Sequence, residues 1–437
     1  MMAKITRRDA VRMVASAAAG AYGLGLLRQH GATSVLAQDS IEIRSAGFVE
    51  SQDQLKQTLA VLKRYEELNP SVKINAEFTD YGSYTDKLAT EAAGGNAPDM
   101  MSANGDIMGE YSRRGVLRPL DEYVPAPLDM SGYATGTVTG NTIDGKLYGI
   151  PNDCISPSLV YDTTVFAETG IAVPEQMWTW EAYEQLANDI SKAKGSDYYG
   201  TEDGGSSYIA CDMYLRGRKK EFYTADKGLG FTEADLADWL GFWQRLRESG
   251  GAPPADIQAL ASGDDLSRTG LITGRAAILP QLTDTFVGLQ NLTEKKLGLH
   301  LLPNGFKGTE ALAQHHYTYA GNSTSVSSAT DHADTVIDIV RFMHFDPEGI
   351  GIFYHGSGLI PASGEARAKL LQGASEGEKT VLQYIDIILQ KGSTPRNPAI
   401  AGVSAILGRM NEAVGFGQMK VDEAAKQFFS EAADKIS

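Results

Sequence analysis

Three runs decide the reading of this chain: GGNAPDMMSANGD at residues 94–106, RRGVLRPLDEYV at 113–124 and DGKLYGIPND at 144–153. Pro98-Asp99 leads into a short apolar strand, and Ile107 to Arg114 reads as a helix that Gly115 ends. Pro119, Pro125 and Pro127 mark a surface crossing, and Asp144-Gly145 is a hairpin turn signal ahead of a strand at Lys146 to Ile150.

Upstream of these runs, Val72, Ile74, Ala76 and Phe78 alternate with polar residues, while Leu55, Leu59, Leu62, Tyr65 and Leu68 recur at helical spacing. The order from residue 41 is therefore strand, helix, strand, helix (Tyr84 to Ala93), strand (Asp99 to Ser102) and helix, which predicts a parallel α/β lobe. After Pro151 a second α/β pattern begins, with a strand at Leu159 to Tyr161, helices at Trp180 to Ala193 and Ala234 to Ser249, and a strand at Ala276 to Leu279. Gly298 to Leu302 and Tyr317 to Val326 are extended, and helices at His332 to Phe345 and Pro347 to Tyr354 lead to a return loop ending at Pro361. A chain of 437 residues exceeds one ordinary core, so two lobes are expected.

Residues 1–37 read as an export signal. Thr6-Arg7-Arg8-Asp9 precedes an apolar Ala- and Gly-rich run from Val14 to Leu27, and Val35-Leu36-Ala37 offers the small residues a signal peptidase cuts after. The paired arginines favour the twin-arginine route, with ordinary secretion as the alternative, and the run is short for a membrane span. The formal charge of −16 becomes more negative once this basic leader is removed, which excludes nucleic acids and anionic membrane surfaces as natural partners.

Catalytic and metal motifs fail on inspection. Gly140 to Lys146 has phosphate-loop spacing, but Leu147 stands where Ser or Thr is needed and the context is a turn before a strand. His315 and His316 are adjacent, so they would face opposite sides of a strand or diverge by about 100° on a helix, and no HExxH is present. Ser357 lacks the first glycine of a nucleophile elbow, and no carboxylate pair stands out for glycoside hydrolysis. Cys154 and Cys211 form no CxxC pair; a bridge between them and two separate buried thiols both remain open. No enzyme, cofactor or metal site is expected. Loops beyond the carboxyl ends of strands are the natural ligand positions in an open α/β sheet. That rule nominates Phe48 and Glu50 after the first strand, Tyr81 after the second, and Asn104 and Asp106 after the third.

The three runs, in their order and spacing, resemble the extracellular solute-binding proteins of family 1, the sugar-capturing subunits of ABC importers. Pro174 with Thr179-Trp180-Glu181 resembles that family's helix-start signature, a matter of capping and packing. The resemblance implies a periplasmic binding protein fold of type II kind, two discontinuous α/β lobes joined by hinge strands: 40–152 with 322–358, and 153–321 with 359–437. It implies a monomeric carrier in the periplasm that captures a carbohydrate or polyol and delivers it to permease subunits, with an anionic glycerol phosphodiester or sugar acid as the second reading. It places Asp106 at an acidic ligand contact, Asp153 at the first hinge contact, and Tyr208 at a second-lobe aromatic position. Gln281 and Asp284 follow a strand resembling a family element, Tyr319, Gly321 and Asn322 match a glycine-containing hinge, and Arg396 matches an arginine that some members turn into the cleft. Ala103 stands where the family carries a tryptophan, which implies a small or strongly polar ligand. Trp239 and Trp243, four apart on one helix, read as core.

Overall fold

The amphipathic pattern of the first strand sets its place: in Ile41–Phe48 the side chains of Ile43 and Ser45 are buried while Glu42 is exposed. The computed structural model describes residues 40–261, 265–308, 315–394, 396–397, 399–400 and 402–436. The expected export signal lies outside the described residues. Among them are the strands β1 (Ile41–Phe48), β2 (Val72–Thr79), β3 (Met100–Ala103), β4 (Thr142–Ile143), β5 (Lys146–Leu147), β6 (Ile150–Pro151), β7 (Pro157–Asp162), β8 (Tyr199–Thr201), β9 (Ala276–Leu282), β10 (Leu297–His300) and β11 (Ser323–Val326).

Five strands form one sheet in the order β2-β1-β3-β11-β6. β1 runs parallel to β2, with Ile41 opposite Val72 and Phe48 opposite Thr79, and parallel to β3. β11 is antiparallel to both β3 and β6, with Ser323 opposite Ala103 and Pro151. The sheet is therefore mixed, where the sequence pattern predicts a parallel one. The physical reason is the entry point: β11 begins beside the residues that end β3 and β6, so it must run the other way.

A second sheet has the order β10-β7-β9-β8, in which only β8 and β9 are parallel. β4 and β5 make the hairpin foreseen at Asp144-Gly145. Both turn residues have positive φ, 50° at Asp144 and 76° at Gly145, as a type I′ turn requires. The single strand expected at Lys146 to Ile150 is split into β5 and β6.

The two sheets are linked by chain segments that bond to one another side by side. Ile155 N donates to Tyr319 O at 2.9 Å and Tyr319 N to Ile155 O at 3.0 Å; Asn152 N donates to Asn322 O at 3.0 Å, and Cys154 N to Ile360 O at 2.8 Å. The carboxyl ends of β1, β2 and β3 thus lie at the end of their sheet where the connections leave. β7 starts from the same connections, so the end of β9, with Leu282 opposite Pro157, also lies there. Loops from both sheets are brought to face each other by topology alone.

Beside the second sheet, Trp180, Trp239, Phe242 and Trp243 are buried. The Trp180 and Trp239 rings meet edge to face, 5.8 Å apart at 89°. Both tryptophans of helix Glu233–Ser249 are core, as their spacing implies. Thr179 caps helix Trp180–Lys194 by accepting from Ala182 N at 3.2 Å, which accounts for the Thr-Trp-Glu signature. Cys154 and Cys211 are separate buried thiols, so the bridged alternative is set aside. His315 and His316 do not face opposite sides: they lie outside any strand, and their rings stack 5.8 Å apart at 13°.

Asp203 and Arg247 form a buried ion pair, 3% and 5% exposed, that ties the loop after β8 to helix Glu233–Ser249. Asp203 also accepts from Gly205 N at 2.7 Å. Removing one partner leaves an uncompensated buried charge, so Arg247→Met is expected to lower unfolding free energy by about 3–5 kcal/mol. Urea unfolding followed by far-UV circular dichroism checks this, and a loss below about 1 kcal/mol would show that Asp203 is held by its other hydrogen bonds.

Candidate functional site between the two sheets

Glu50 sits in the loop between β1 and helix Gln52–Leu68, which Ser51 caps through Gln54 N. Its side chain reaches water at the edge of the site, and desolvation by surrounding protein raises its carboxyl above the usual carboxylate range. Tyr81 and Asn104 form a pair after β2 and β3, the Asn104 amide donating to the tyrosine hydroxyl at 3.0 Å while its carbonyl oxygen caps the next helix through Ile107 N. Phe48 is not a ligand-facing surface. It is 4% exposed and packs edge-on under Tyr81 at 5.1 Å, because the pleat of β1 turns it into the small core with Leu88 and Ile107. Asp106, in the first turn of helix Gly105–Arg113, is raised by burial and pulled back by the charge of Arg396.

Asp153 lies in the connection itself and is 5% exposed. One carboxylate oxygen accepts from Gly321 N at 2.7 Å and from Asn322 N at 3.4 Å. Glycine favours this close approach, since a Cβ at Gly321 would stand 2.8 Å from the tip of Ile155, Cδ1, and 3.3 Å from Asp153 Oδ2, and both would have to give way. Burial pushes the Asp153 carboxyl well above the ordinary range, Glu50 adds to the push, the Gly321 amide opposes it, and Asp284 adds a smaller share. Asn322 is 5% exposed, and its side-chain oxygen has no hydrogen-bond partner among the described residues.

From the second sheet come Asp284, Tyr208 and Arg396. Asp284 occupies the short turn Thr283–Thr285 after β9, and burial together with Glu50 raises it to about 7. Gln281 Oε1 folds back to accept from Leu282 N at 2.9 Å, at its own strand end. Arg396 stacks on Tyr319 at 4.2 Å from the ring centre and lies 5.7 Å from that of Tyr208. It also donates to the Tyr208 hydroxyl.

Tyr317 belongs to the same stack and is not among the residues nominated from sequence. Arg396 lies 5.8 Å from its ring centre, and Arg216, itself paired with Asp212 at 2.8 Å, lies 4.8 Å from it. The signal was present: Tyr317 and Tyr319 are two apart in an extended segment and so share a face.

Glu50, Asp106, Asp153, Tyr208, Asp284, Tyr319, Gly321, Asn322 and Arg396 are thus brought into one neighbourhood, with Tyr81 and Asn104 at its first-sheet edge. A model of the bacterial extracellular solute-binding proteins matches residues 60–376. The chain belongs to this family of bacterial extracellular solute-binding proteins. Its fold matches that of an extracellular solute-binding protein family 1 member from Alicyclobacillus acidocaldarius subsp. acidocaldarius DSM 446, with a TM-score of 0.74, 26% identity, and coverage of 91% of this chain and 98% of that one. The galactooligosaccharide-binding protein of Bacillus subtilis (strain 168) is 24% identical over 212 residues, 48% of each chain. The lactose-binding protein of Rhizobium radiobacter is 25% identical over 216 residues, 46% of this chain and 49% of that protein. The chain spans less than half the length of the curated relatives it matches, from 33% to 49%.

In this solute-binding protein the raised carboxyls give a pH signature. A carboxyl held higher in the folded than in the unfolded state contributes stability below its unfolded value, about 4, and loses it as pH rises through the folded value. For Asp284 that window runs from about 4 to about 7. The Asp284 contribution to the stability of the ligand-free protein is therefore expected to be more favourable at pH 5 than at pH 8, while His300, His316 and His344, held below the ordinary imidazole range by burial, act in the opposite sense over the same window. Asp284→Asn should flatten part of that slope, by at most about 4 kcal/mol and less because water reaches the side chain. Buried Glu202, also raised to about 7, keeps a remainder of the same sign. Thermal melts of both proteins between pH 4.5 and 8.5 measure it, and parallel curves would mean that Asp284 titrates normally.

Proposed function

We propose that this protein is the solute-binding subunit of an ABC importer, capturing a carbohydrate or polyol between its two sheets and delivering it to a membrane permease. The observation that carries this reading is the meeting of two polar groups from opposite sides: Arg396 on its tyrosine stack, and Asp106 at the start of a first-sheet helix. Planar charged groups suit vicinal hydroxyls, and the faces of Tyr208 and Tyr319 suit the C–H side of a sugar ring. The sugar-binding relatives support the substrate class.

In this reading the first-sheet elements and the second-sheet elements form two lobes, the connections at 152–155 and 319–322 act as hinges, and residues 1–37 direct export to the periplasm. A ligand that touches both sides shifts an open to closed equilibrium, because only the closed state makes both sets of contacts. The protein works as a monomer and binds without turnover.

The second reading, an anionic ligand clamped by Arg396, draws on the same guanidinium. Glu50, Asp153 and Asp284 weigh against it, since an anion would enter beside three carboxyl groups. Substituting Arg396→Ala is expected to weaken sugar binding by about 100-fold, and Tyr319→Ala by roughly 10-fold, both read by isothermal titration calorimetry. Small-angle scattering should show compaction on binding. No binding across a panel of neutral, amino and acidic sugars and polyols would remove the proposal, and binding of acidic ligands alone would promote the second reading.

A further inference from the structure

The register of the first sheet brings the ends of its strands to one level. Phe48 of β1 stands opposite Thr79 of β2, and Ser323 of β11 stands opposite both Ala103 of β3 and Pro151 of β6. Ala46 opposite Met101 carries the same level from β1 across to β3. Beyond that line the chain supplies Tyr81 after β2, Glu50 after β1, Asn104 after β3 and Asn322 before β11, in that spatial order from the outer edge of the sheet to the connections.

Tyr81 is 42% exposed, yet it is held at two points. Its ring meets that of Phe48 edge to face, 5.1 Å apart at 89°, and its hydroxyl accepts from the Asn104 amide at 3.0 Å. Asn104 follows β3 and Tyr81 follows β2, with β1 between them, so the tyrosine side chain reaches across the end of β1 and covers the buried Phe48. Asn104 Oδ1 accepts from Ile107 N at 3.1 Å, and that helix cap fixes which end of the amide is turned to Tyr81. The tyrosine oxygen is the acceptor in this bond, so its own proton stays available to a ligand. Tyr84 on the same helix, Tyr81–Ala93, is the contrast: it is buried, and its hydroxyl is spent on Ser102 O at 2.7 Å. Two restraints on so exposed a ring bury little, but they order in advance a surface on which the C–H face of a sugar can stack.

Strand spacing then sets the length of the ligand. Neighbouring strands lie about 4.8 Å apart, so the end of β1 beneath Tyr81 is roughly 10 Å from that of β11, where Asn322 and the connections begin. A pyranose ring is about as wide as one such spacing. A carbohydrate that touches both the Tyr319–Arg396 stack and Tyr81 therefore needs more than one ring.

We infer that the ligand is an oligosaccharide of two or more units, one seated at the Tyr319–Arg396 stack and the next stacked on Tyr81, with Asn104 and Phe48 as positioning residues of that platform and not ligand contacts. The inference rests on the sugar-binding reading above, and it replaces the small ligand that Ala103 implies.

The test uses the full chain and calorimetric titration with glucose, galactose, mannose and xylose, each with its 1,4-linked dimer and trimer. At least one dimer is expected to bind about 10-fold or more tightly than its monomer. Tyr81→Ala should weaken that dimer about 10-fold and leave the monomer within about 2-fold. Tyr81→Leu keeps Phe48 covered but offers no ring face, so it decides the matter if Tyr81→Ala does not fold. Asn104→Ser keeps a helix cap but does not reach Tyr81. It should weaken the dimer about 3-fold in the wild-type background and have no further effect in Tyr81→Ala. A loss that persists in the Tyr81→Ala background would make Asn104 a ligand contact and overturn its positioning role. Equal binding of monomer and dimer, or Tyr81 variants that weaken both alike or neither, overturns the inference and leaves the sugar reading in place. Failure of all four dimers while another carbohydrate or polyol binds does the same, and failure of the whole wider panel overturns both.

Discussion

Side-by-side hydrogen bonding of the connections between the sheets governs the rest of this molecule. Asn152 to Ile155 runs alongside Tyr319 to Asn322, with backbone bonds at 2.9 to 3.0 Å on both flanks, and Ile360 closes the far side of Cys154. Asp153 locks the pair by accepting both the Gly321 and the Asn322 amides. These bonds are what bring the end of β9 opposite the ends of β1 and β3, and hence Asp284 opposite Glu50. Gly321 suits the same device, since a Cβ there would crowd Ile155 Cδ1 at 2.8 Å and Asp153 Oδ2 at 3.3 Å.

A carboxylate at such a connection does two jobs at once. It is a backbone acceptor that holds two segments together, and it is a buried acid beside two more. The first role favours ionisation and the second opposes it, with burial prevailing. The neighbourhood is therefore poised rather than satisfied, in contrast to the Asp203 carboxylate, which Arg247 Nη1 and the Gly205 amide answer. Groups left unanswered in a cleft point to ligand, while groups answered in the core point to structure.

Legibility in the sequence followed the range of the physics. Local features came through well: the β1-helix-β2 order, the Asp144-Gly145 hairpin, the Thr179 cap and the buried Trp239 and Trp243 each depend on neighbours within a few residues. Pairing direction did not. The antiparallel placement of β11 depends on where the chain re-enters the sheet, long after β3 has been laid down and the whole second sheet has intervened, and no local pattern carries that. Among nominated site residues, Phe48 turns into the core and Gln281 Oε1 bonds its own strand end, because the pleat and a one-residue backbone bond decide which way each side chain turns. Tyr317 was missed although its two-residue spacing from Tyr319 was visible, since an aromatic in an extended segment serves a core equally well.

By itself the sequence determined that this is an α/β chain, which residues lie on loops after strands, and that phosphate-loop, zincin and serine-hydrolase chemistry lack their motifs; its solute-binding kind entered as a resemblance carried by the runs between residues 94 and 153. Those conclusions rest on periodicity, turn chemistry and spacing, all of short range. Tertiary structure alone decided that Glu50, Asp153 and Asp284 act on one another, and that Arg396 is held by tyrosines from two other segments. Electrostatic coupling and stacking depend on distance in space, and residues 50, 153, 284 and 396 become neighbours only when both sheets and their connections are in place.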